Sequence, residues 1–576
     1  MQRSMLAKRA WLLFFTAAFV LYLYGLGRLP LIGPDEPRYA QIAREMLERA
    51  DPVTPTLGGL PWFEKPSLLY WMMMAAFAAF GVSEWAARLG PACSGLLTGL
   101  LIYAAGRRVE KASAEATASA ASAAASTASS ASAASIASAA SASSMDARGL
   151  GLWSGASLLS GVGMLIFSRG ASFDVIVTMT LTAALACFLV SELATTETMR
   201  RRWLAGFYAW VGASLLAKGL IGIVIPFGVV AAYFLLRREW PRRRALLSMW
   251  WGVPLALIVA SVWYAPVTLQ HGWTFIDQFI IQHHFARYLS NKYRHPQPFY
   301  FYLPMMALLA LPWTPFLVAA LARARRWNWR GADSLSKLRV LALAWVVVPV
   351  AFFSLSGSKL PGYILPALPG AALLIGDQLA AFTRDAQSGI RSMRATGACL
   401  LLLGGAIIIY LTRVTHISTA PGIAVALPLV LAGLFALLAR PRLRRWSAAL
   451  VTAATFATTT LAINLAIEQG ARGESVRDLV AKASQRGYAS APVFELHTVE
   501  RTAEFYAAGR VARGPGGDII KFEGVQQVAE AARRSNGPAL VIVPLEYAGQ
   551  LLDYAPLHPE LIGDNGEVAL VVIRAP

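Results

Sequence analysis

Charged side chains are scarce in this chain, and acidic ones are the scarcest. Only 15% of its 576 residues are charged, with 32 acids against 52 Lys and Arg, while 56% are hydrophobic. This balance excludes an ordinary soluble protein. The three cysteines, Cys93, Cys187 and Cys399, lie in apolar runs without paired or metal-ligand spacing. They exclude a disulfide scaffold, and we expect them to serve packing.

Apolar runs long enough to cross a bilayer recur from Trp11 to Ile467. They predict a polytopic α-helical membrane protein with about 13 transmembrane helices. The first run follows Arg3, Lys8 and Arg9 without a small-residue cleavage site, so we interpret it as an uncleaved anchor. The earlier spans are predicted at residues 11–27, 86–105, 151–168, 174–194, 203–217, 219–236 and 249–267.

The net charge of +20 comes from short basic loops between apolar runs. Such loops mark the cytoplasmic side of a membrane, and they give no reason to expect a nucleic acid partner. They lie at residues 107–108, 200–202, 237–244, 323–330, 384–394 and 440–445. Alternate loops, and the chain after residue 467, are then outside.

Two domains follow from this pattern, a membrane domain (1–467) and a small external α/β domain (468–576). The first outer loop, 28–85, contains an amphipathic stretch at 38–49 and an apolar one at 67–82. The second is too short for a full span, so we expect it to be interfacial or re-entrant. The turn-rich residues 52–61 separate the two.

Two other segments differ in composition from the membrane spans. Residues 112–144 are almost pure Ala and Ser, and we expect a cytoplasmic linker without assigning it a fold. In the external domain, strands are predicted at 493–496, 539–543 and 567–573, with a helix at 525–534. That domain has no phosphate loop, metal pattern or nucleophile motif, so its role is open.

An acidic pair, Asp35 and Glu36, follows the first span in Gly-Pro-Asp-Glu-Pro-Arg-Tyr. Ionised groups near a bilayer are costly and usually functional. The alternative is that the pair only supplies N-terminal charge to the next helix. Asp174 could likewise merely cap the next span. Lys218, at the end of a span, could simply extend its ammonium group to the membrane interface.

Polar residues of the predicted outer loops would share one side of the membrane. They are Asp35, Glu36, Arg38, Tyr39, Glu64, Lys65, Asp174, Lys218, His283, His284, Arg287, Lys292, Arg294, His295, Lys359 and Tyr363. Basic groups outnumber acids here, which predicts a doubly anionic substrate such as a phosphodiester or phosphorylated lipid. A metal site at the two adjacent histidines lacks a third ligand at fixed spacing.

Several motifs resemble the GT-C type glycosyltransferases that use polyprenyl-phosphate sugars. The closest branch is the 4-amino-4-deoxy-L-arabinose lipid A transferases, related to protein O-mannosyltransferases. The matching segments are Pro34-Asp35-Glu36-Pro37-Arg38-Tyr39-Ala40, Gly59-Leu60-Pro61-Trp62-Phe63-Glu64-Lys65-Pro66, Ala217-Lys218-Gly219, His284 with Arg287, and residues 353–366 around Lys359 and Tyr363. The resemblance covers residues 11 to 380.

This resemblance implies a GT-C fold with surface helices in the first outer loop. It also implies transfer of aminoarabinose from undecaprenyl phosphate to a lipid A phosphate at the periplasmic face of the bacterial inner membrane. Resistance to polymyxin and cationic peptides is the implied consequence. The family's two acidic residues correspond to Asp35 and Asp174, although the residues before Asp174 match weakly.

The charges that develop in such a reaction predict roles for the other polar residues. Carboxylates suit the sugar centre, and Lys65, Arg38 and Lys359 suit the departing phosphate. We expect Glu36, Tyr39, Glu64, Lys218, His284, Arg287 and Tyr363 to line the site. No compact metal-ligand set is present, so we predict a reaction without a cofactor, while a divalent ion at the leaving phosphate stays an alternative.

Two alternative functions remain open at this point. The chain could instead be a related polyprenyl-phosphate-sugar glycosyltransferase that acts on protein Ser or Thr, or on another envelope glycan. A lipid transporter is the rival from another class, but repeated halves are not evident and the charges lie at loop depth instead of at the bilayer midplane.

Overall fold

The computed structural model describes residues 2–126, 147–286, 297–385, 388–414, 418–471, 473–535 and 537–574. Helices dominate as far as residue 470. They are α1 (Gln2–Leu23), α2 (Asp35–Glu48), α3 (Leu68–Phe80), α4 (Glu84–Ser126), α5 (Leu150–Leu159), α6 (Val162–Phe167), α7 (Phe173–Leu193), α8 (Glu197–Lys218), α9 (Ile221–Arg237), α10 (Arg243–Leu247), α11 (Met249–Phe275), α12 (Tyr302–Leu309), α13 (Thr314–Arg323), α14 (Ser334–Ser354), α15 (Leu368–Arg384), α16 (Ile390–Arg413), α17 (Thr419–Leu437), α18 (Arg444–Leu465) and α19 (Ile467–Gly470).

Within those described ranges, eight helices are long and apolar enough to cross a membrane. A bent pair, Tyr302–Leu309 and Thr314–Arg326, turns by 119° and makes a ninth if it is one span. The polytopic helical fold predicted from the apolar runs is confirmed. The count of 13 spans stays a prediction, because several of the expected spans are shorter helices here.

The span expected at 151–168 is broken into α5 and α6 by a turn at Ser160 and Gly161. Helix α4 passes very close to α5, where a Cβ built on Gly106 would overlap the backbone of Gly151. Small residues allow such close approach of helices in a membrane. Helix α4 continues to Ser126, so the first part of the Ala/Ser stretch is helical. The rest of that stretch, to residue 144, lies outside the described residues.

The first outer loop holds the two predicted surface helices. Helix α2 buries one face, including Tyr39, Ile42 and Met46. Helix α3 has 13 residues, about 20 Å of length, which is too short to span the hydrocarbon core. Between them the turn-rich stretch forms a small antiparallel hairpin, β1 (Thr56–Leu57) and β2 (Leu60–Pro61). These strands were not predicted.

Helix α7 is the central helix of the bundle and is almost entirely buried. A helix that is apolar on all sides belongs in the interior. Its N-cap is Ser172, whose hydroxyl accepts a hydrogen bond from the Asp174 amide at 3.1 Å. Helix α8 is capped in the same way by Thr196, which accepts from Met199 at 3.3 Å. The caps set where these two neighbouring helices begin.

The basic loops meet at one end of the bundle. Arg237 donates to the Gly331 carbonyl at 3.0 Å, and Lys337 donates to the Glu192 carbonyl at 2.9 Å. Helix α7 runs from Asp174 at its start to this end, about 30 Å away for its length. The acidic residues of the first outer loop therefore lie at the opposite end from the basic loops.

The C-terminal region folds around a five-stranded sheet. Its elements are α20 (Arg477–Ala483), β3 (Val493–Leu496), α21 (Ala503–Tyr506), β4 (Lys521–Phe522), α22 (Val525–Arg534), β5 (Ala539–Pro544), α23 (Ala548–Leu552), β6 (Glu560–Asp564) and β7 (Val568–Ile573). The strand order is β4-β3-β5-β7-β6. Strand β3 is parallel to β4 and β5, and β7 is antiparallel to β5 and β6.

Both faces of this sheet are covered. Leu540 and Ile542 pack in one apolar cluster, and Val541 and Val543 pack in the other. The strands at 493–496, 539–544 and 568–573 and the helix at 525–534 lie where the sequence predicts them. Strands β4 and β6 were not predicted. Strand β4 has only two residues, and the apolar and polar residues of β6 alternate weakly.

Glu495 lies in β3 with its side chain fully buried, and burial raises the pKa of its carboxyl to about 8. The folded domain therefore binds more protons than the unfolded chain between the unfolded and folded pKa values, so stability falls as pH rises through that window. From pH 5 to pH 8 we expect the free energy of unfolding of this domain to fall by about 3 kcal/mol.

Hydrogen exchange of the β3 amides in the detergent-solubilised full chain measures this free energy. Glu495→Gln should remove the pH dependence. Glu523→Gln changes an exposed carboxylate after β4 and should keep it. A parent protein whose β3 protection is the same at both pH values would contradict the prediction.

Candidate active site

One large cavity opens beside the start of α2 and α7, with a volume of about 1710 Å³. Its charged lining residues are Asp35, Glu36, Glu64, Lys65, Arg88, Arg169, Asp174, Lys218 and Glu474. Apolar residues of α16 to α18 form another part of the wall, among them Leu403, Ile407, Val425, Leu429 and Ala462. A cavity with both kinds of wall fits an amphiphile with an ionic head and a hydrocarbon tail.

Asp35 stands at the first position of α2, after a Gly33 with a φ of +66° and Pro34. Its side chain is 57% exposed. The Arg38 guanidinium on the next turn is 3.9 Å from Asp35 Oδ1, which is beyond hydrogen-bond distance. The carboxylate is therefore available to a ligand in the cavity.

Glu36 is held by Arg88 of α4. Arg88 Nη2 and Nε lie 2.6 and 3.1 Å from the two carboxylate oxygens. The amides of Ile32 and Ala171 donate to the same oxygens at 3.2 and 2.5 Å. All four acceptor positions of Glu36 are thus filled by the chain itself. Glu36 lines the cavity, but its carboxylate has a structural role.

Arg88 is 1% exposed and uses all five of its donors. Besides Glu36, it donates to the carbonyls of Leu26, Leu29 and Pro30 at 2.8, 2.6 and 2.7 Å. We name this set of contacts between Arg88, Glu36 and residues 26–30 the Arg88 clamp. It fixes the chain that leads from α1 to Asp35.

Asp174, Lys218 and Tyr363 come together from three separate segments. Lys218 Nζ, at the end of α8, donates to Asp174 Oδ1 in the first turn of α7. The same ammonium lies 4.4 Å from the centre of the Tyr363 ring, in the 3₁₀ turn Pro361–Ala367. A Cβ on Gly362 would overlap Asp174 Oδ2, so only glycine permits this approach. Asp174 does not cap α7, because Ser172 does.

Glu64 and Lys65 follow the β1–β2 hairpin and pair with each other at 3.2 Å. Glu64 Oε2 is also 3.8 Å from Arg38 Nη1. Tyr39 is buried near Glu64, with its ring 4.9 Å from Phe173 and 6.3 Å from Tyr70. Burial is the main cause that raises the Tyr39 pKa well above its ordinary value, so its hydroxyl stays protonated.

The structure brings most of the predicted site residues to one wall. The lining members of that prediction are Asp35, Glu36, Tyr39, Glu64, Lys65, Asp174, Lys218 and Tyr363. Arg38 and Lys359 do not belong to the lining that the described residues form. Lys359 is 7% exposed, and its Nζ donates to the Ser356 carbonyl at 2.6 Å. Arg38 stands behind Asp35 and Glu64.

His284 belongs to the helical segment Ile276–Ala286. Neither the His284 side chain nor any part of Arg287 is among the described residues, so their predicted roles stay predictions. Lys292, Arg294 and His295 lie outside them as well.

Sequence reasoning missed Arg88 and Arg169. Arg169 lines the cavity and donates to the carbonyls of Leu21 and Tyr24 at 2.9 and 2.7 Å. An arginine within or beside an apolar run is itself a functional signal, and Arg88 is the one inside α4 near its start.

The expected surplus of basic groups is not present on this wall. Of the nine charged lining residues in the described part of the chain, five are acidic and four are basic. Suitability for an anion therefore depends on where Lys65 and Lys218 stand, and not on the net charge. Among described residues no group of three His, Cys, Asp or Glu could hold a metal ion.

Comparison with known proteins gives the class. The chain superposes on the crystal structure of ArnT from Cupriavidus metallidurans bound to undecaprenyl phosphate with a TM-score of 0.76, over 97% of each chain and with 24% identity. It therefore has the GT-C fold of polytopic glycosyltransferases. The profile of the dolichyl-phosphate-mannose-protein mannosyltransferase family matches residues 9–137.

Sequence relatives give the family. An undecaprenyl phosphate-alpha-4-amino-4-deoxy-L-arabinose arabinosyl transferase 1 from Sodalis glossinidius is 30% identical over 440 residues, which is 73% of this chain and 70% of that protein. The chain belongs to this arabinosyl transferase family. A Pseudomonas paraeruginosa member is 31% identical over 403 residues, 70% of this chain, and the match spans 64% of that relative's length.

The Arg88 clamp predicts a large loss of stability on mutation. Arg88→Met would leave the Glu36 carboxylate, 14% exposed, and three backbone carbonyls without their partner, which we expect to lower the free energy of unfolding by about 3 kcal/mol. Thermal unfolding of the detergent-solubilised protein measures the change.

Arg486→Met is the matched control, because Arg486 and Glu560 are about half exposed and 3.4 Å apart. An exposed pair is worth at most about 1 kcal/mol. Equal melting shifts for the two variants would contradict the clamp.

Proposed function

We propose that this protein transfers 4-amino-4-deoxy-L-arabinose from undecaprenyl phosphate to a phosphate of lipid A at the periplasmic face of the inner membrane. The product masks negative charge on the envelope, which confers resistance to polymyxin and cationic peptides. The observation that carries the proposal is the cavity, which combines an exposed carboxylate, lysine ammonium groups and an apolar wall. Membership of the arabinosyl transferase family supports the choice of sugar.

Orientation follows from the basic loops, which meet at the end of the bundle away from the cavity. Positively charged loops stay on the cytoplasmic side. The cavity, the first outer loop and the C-terminal domain are then periplasmic. A donor lipid would place its phosphate among the charged residues and its prenyl chain along α16 to α18.

The reaction breaks the bond between the anomeric carbon and the carrier phosphate oxygen, and an oxygen of the acceptor phosphate forms the new bond to that carbon. Positive charge develops on the sugar and negative charge on the departing phosphate. We assign Asp35 to the sugar centre, where a carboxylate stabilises that positive charge. A phosphate acceptor is already anionic, so Asp35 orients groups and need not remove a proton.

Lys65 is assigned to the departing phosphate, because it lines the cavity directly beside Glu64. Asp174 holds Lys218 by its ion pair, and the Tyr363 ring supports the same ammonium. This places a second cation at the wall. Arg38 and Lys359 act from behind the lining, so we do not assign them to the phosphate. Metal independence stays a prediction, and continued transfer in EDTA is its test.

Asp35→Asn should abolish transfer while the protein still inserts and folds. The measurement is mass spectrometry of lipid A from cells that lack their own transferase and express the parent chain or the variant. An aminoarabinose mass shift with the parent alone is the expected result. Glu48→Gln, which neutralises an exposed acid at the other end of α2, is the control and should keep the shift.

A normal shift with Asp35→Asn would exclude this residue from the reaction. No shift with the well-expressed parent would contradict the lipid A acceptor and favour protein or another glycan. Movement of labelled lipid without a change in its mass would instead indicate a transporter.

Lys65→Ala should weaken binding of undecaprenyl phosphate at least tenfold, about 1.4 kcal/mol, since a hydrogen bond to a charged group contributes about that much. Thermal shift titration of the purified protein with undecaprenyl phosphate gives the affinity. Lys521→Ala, in the C-terminal sheet next to Glu523, is the control. Unchanged affinity for Lys65→Ala would remove this residue from the phosphate site.

A further inference from the structure

The C-terminal domain reaches into the first outer loop through the short helix α21. Arg44 of α2 donates to the Phe505 carbonyl at 2.9 Å. The Tyr506 hydroxyl accepts from the Leu31 amide at 2.7 Å and donates to Glu84 at 3.1 Å. The domain is thus docked against the residues that carry Asp35.

The same helix carries a buried carboxylate, Glu504, which is 0% exposed. Its Oε2 lies 3.8 Å from Nε of Arg38. Both atoms are buried and lack a hydrogen-bond partner in the described structure. Two opposite charges out of water attract strongly, because little solvent screens them.

Arg38 stands among three carboxylates from three parts of the chain. Its guanidinium nitrogens are 3.9 Å from Asp35, 3.8 Å from Glu64 and 3.8 Å from Glu504. Its side chain is 13% exposed and lies over the Trp62 ring, 5.4 Å from the centre. Its position is therefore decided by a balance of three attractions, none at hydrogen-bond distance.

Glu504 is fixed more firmly than Arg38. Arg513 Nη2 lies 3.1 Å and Arg501 Nη1 3.3 Å from Glu504 Oε1. Arg513 in turn donates to the Gly517 carbonyl at 2.7 Å, and its side chain fills the space where a Cβ on Gly58 would stand. The carboxylate cannot follow Arg38, so Arg38 must respond to it.

We propose that Glu504 is a positioning residue for the reaction, which holds the Arg38 guanidinium back from Asp35 so that the Asp35 carboxylate stays open to the cavity. This inference depends on the proposed function, in which Asp35 faces the sugar. It gives the C-terminal domain a role in the site, although no residue of that domain from 477 onward is in the cavity wall that the described residues form.

Glu504→Gln keeps the size of the side chain and removes its charge. Arg38 is then drawn to Asp35 and Glu64, so we expect kcat/KM to fall about tenfold. A guanidinium that moves closer to site carboxylates favours their ionised form, so the acid limb of the pH profile should move to lower pH. The charged and titratable groups that face Arg38 and Asp35 are Glu64, Lys65, Tyr39, Tyr70 and Glu504. The variant changes the charge of Glu504 alone.

Tyr506→Phe is the control, because it alters the docking of the same helix without touching Arg38. It should keep both kcat/KM and the pH profile. If both variants lose activity equally with unshifted profiles, docking alone matters and the inference is overturned. An unchanged profile in Glu504→Gln, with an active parent, also overturns it.

A parent chain without transferase activity would contradict the proposed function, which separates the two failures. In an Arg38→Gln background, Glu504→Gln should have no further effect, since the residue acts through Arg38. Should Glu504→Gln fail to fold, Glu504→Asp keeps the charge but shortens its reach. It is expected to shift the acid limb in the same direction by a smaller amount, and no shift would overturn the inference.

Discussion

The bidentate pair between Arg88 and Glu36 is the contact on which the site depends. A buried guanidinium is stable only when its donors are all paired, and here three backbone carbonyls and one carboxylate pair all five. The pair ties α4 to the start of α2 and, through the Ala171 amide, to the segment before α7. Asp35 and Asp174 are consequently presented to one cavity by elements that are far apart in sequence.

Around that clamp, several charged groups in or next to the cavity wall are arranged in local pairs. Lys218 meets Asp174, Lys65 meets Glu64, and Arg38 is shared among three acids. Paired charges can be kept at the edge of a membrane at moderate cost, whereas isolated ones cannot. Asp35 has the weakest hold of these acids, because its only ion-pair contact in the described structure is at 3.9 Å and its side chain is half exposed. That suits a group that must meet a transient positive charge.

The predicted residues that reached the wall share a property visible in the sequence, because they lie at helix ends or in loops on one side of the membrane. Asp35, Asp174, Lys218 and Tyr363 all do so. Lys359 and Arg38 also lie near helix ends or in loops on that side, but neither belongs to the cavity lining that the described residues form. Loop position alone does not say which way a side chain points, since that depends on what packs beside it, such as Trp62 beside Arg38.

Apolar run length determined the helical membrane fold, and the alternation of large apolar residues determined most of the external sheet, because both patterns are local. The motifs around Asp35 and Lys359 also indicated the family without a structure. The tertiary structure alone decided that Arg88 and Glu504 govern the surroundings of Asp35. Arg88 is 52 positions from Glu36 and Glu504 is 466 positions from Arg38. Attraction between buried charges depends on distance in space, which no local pattern encodes.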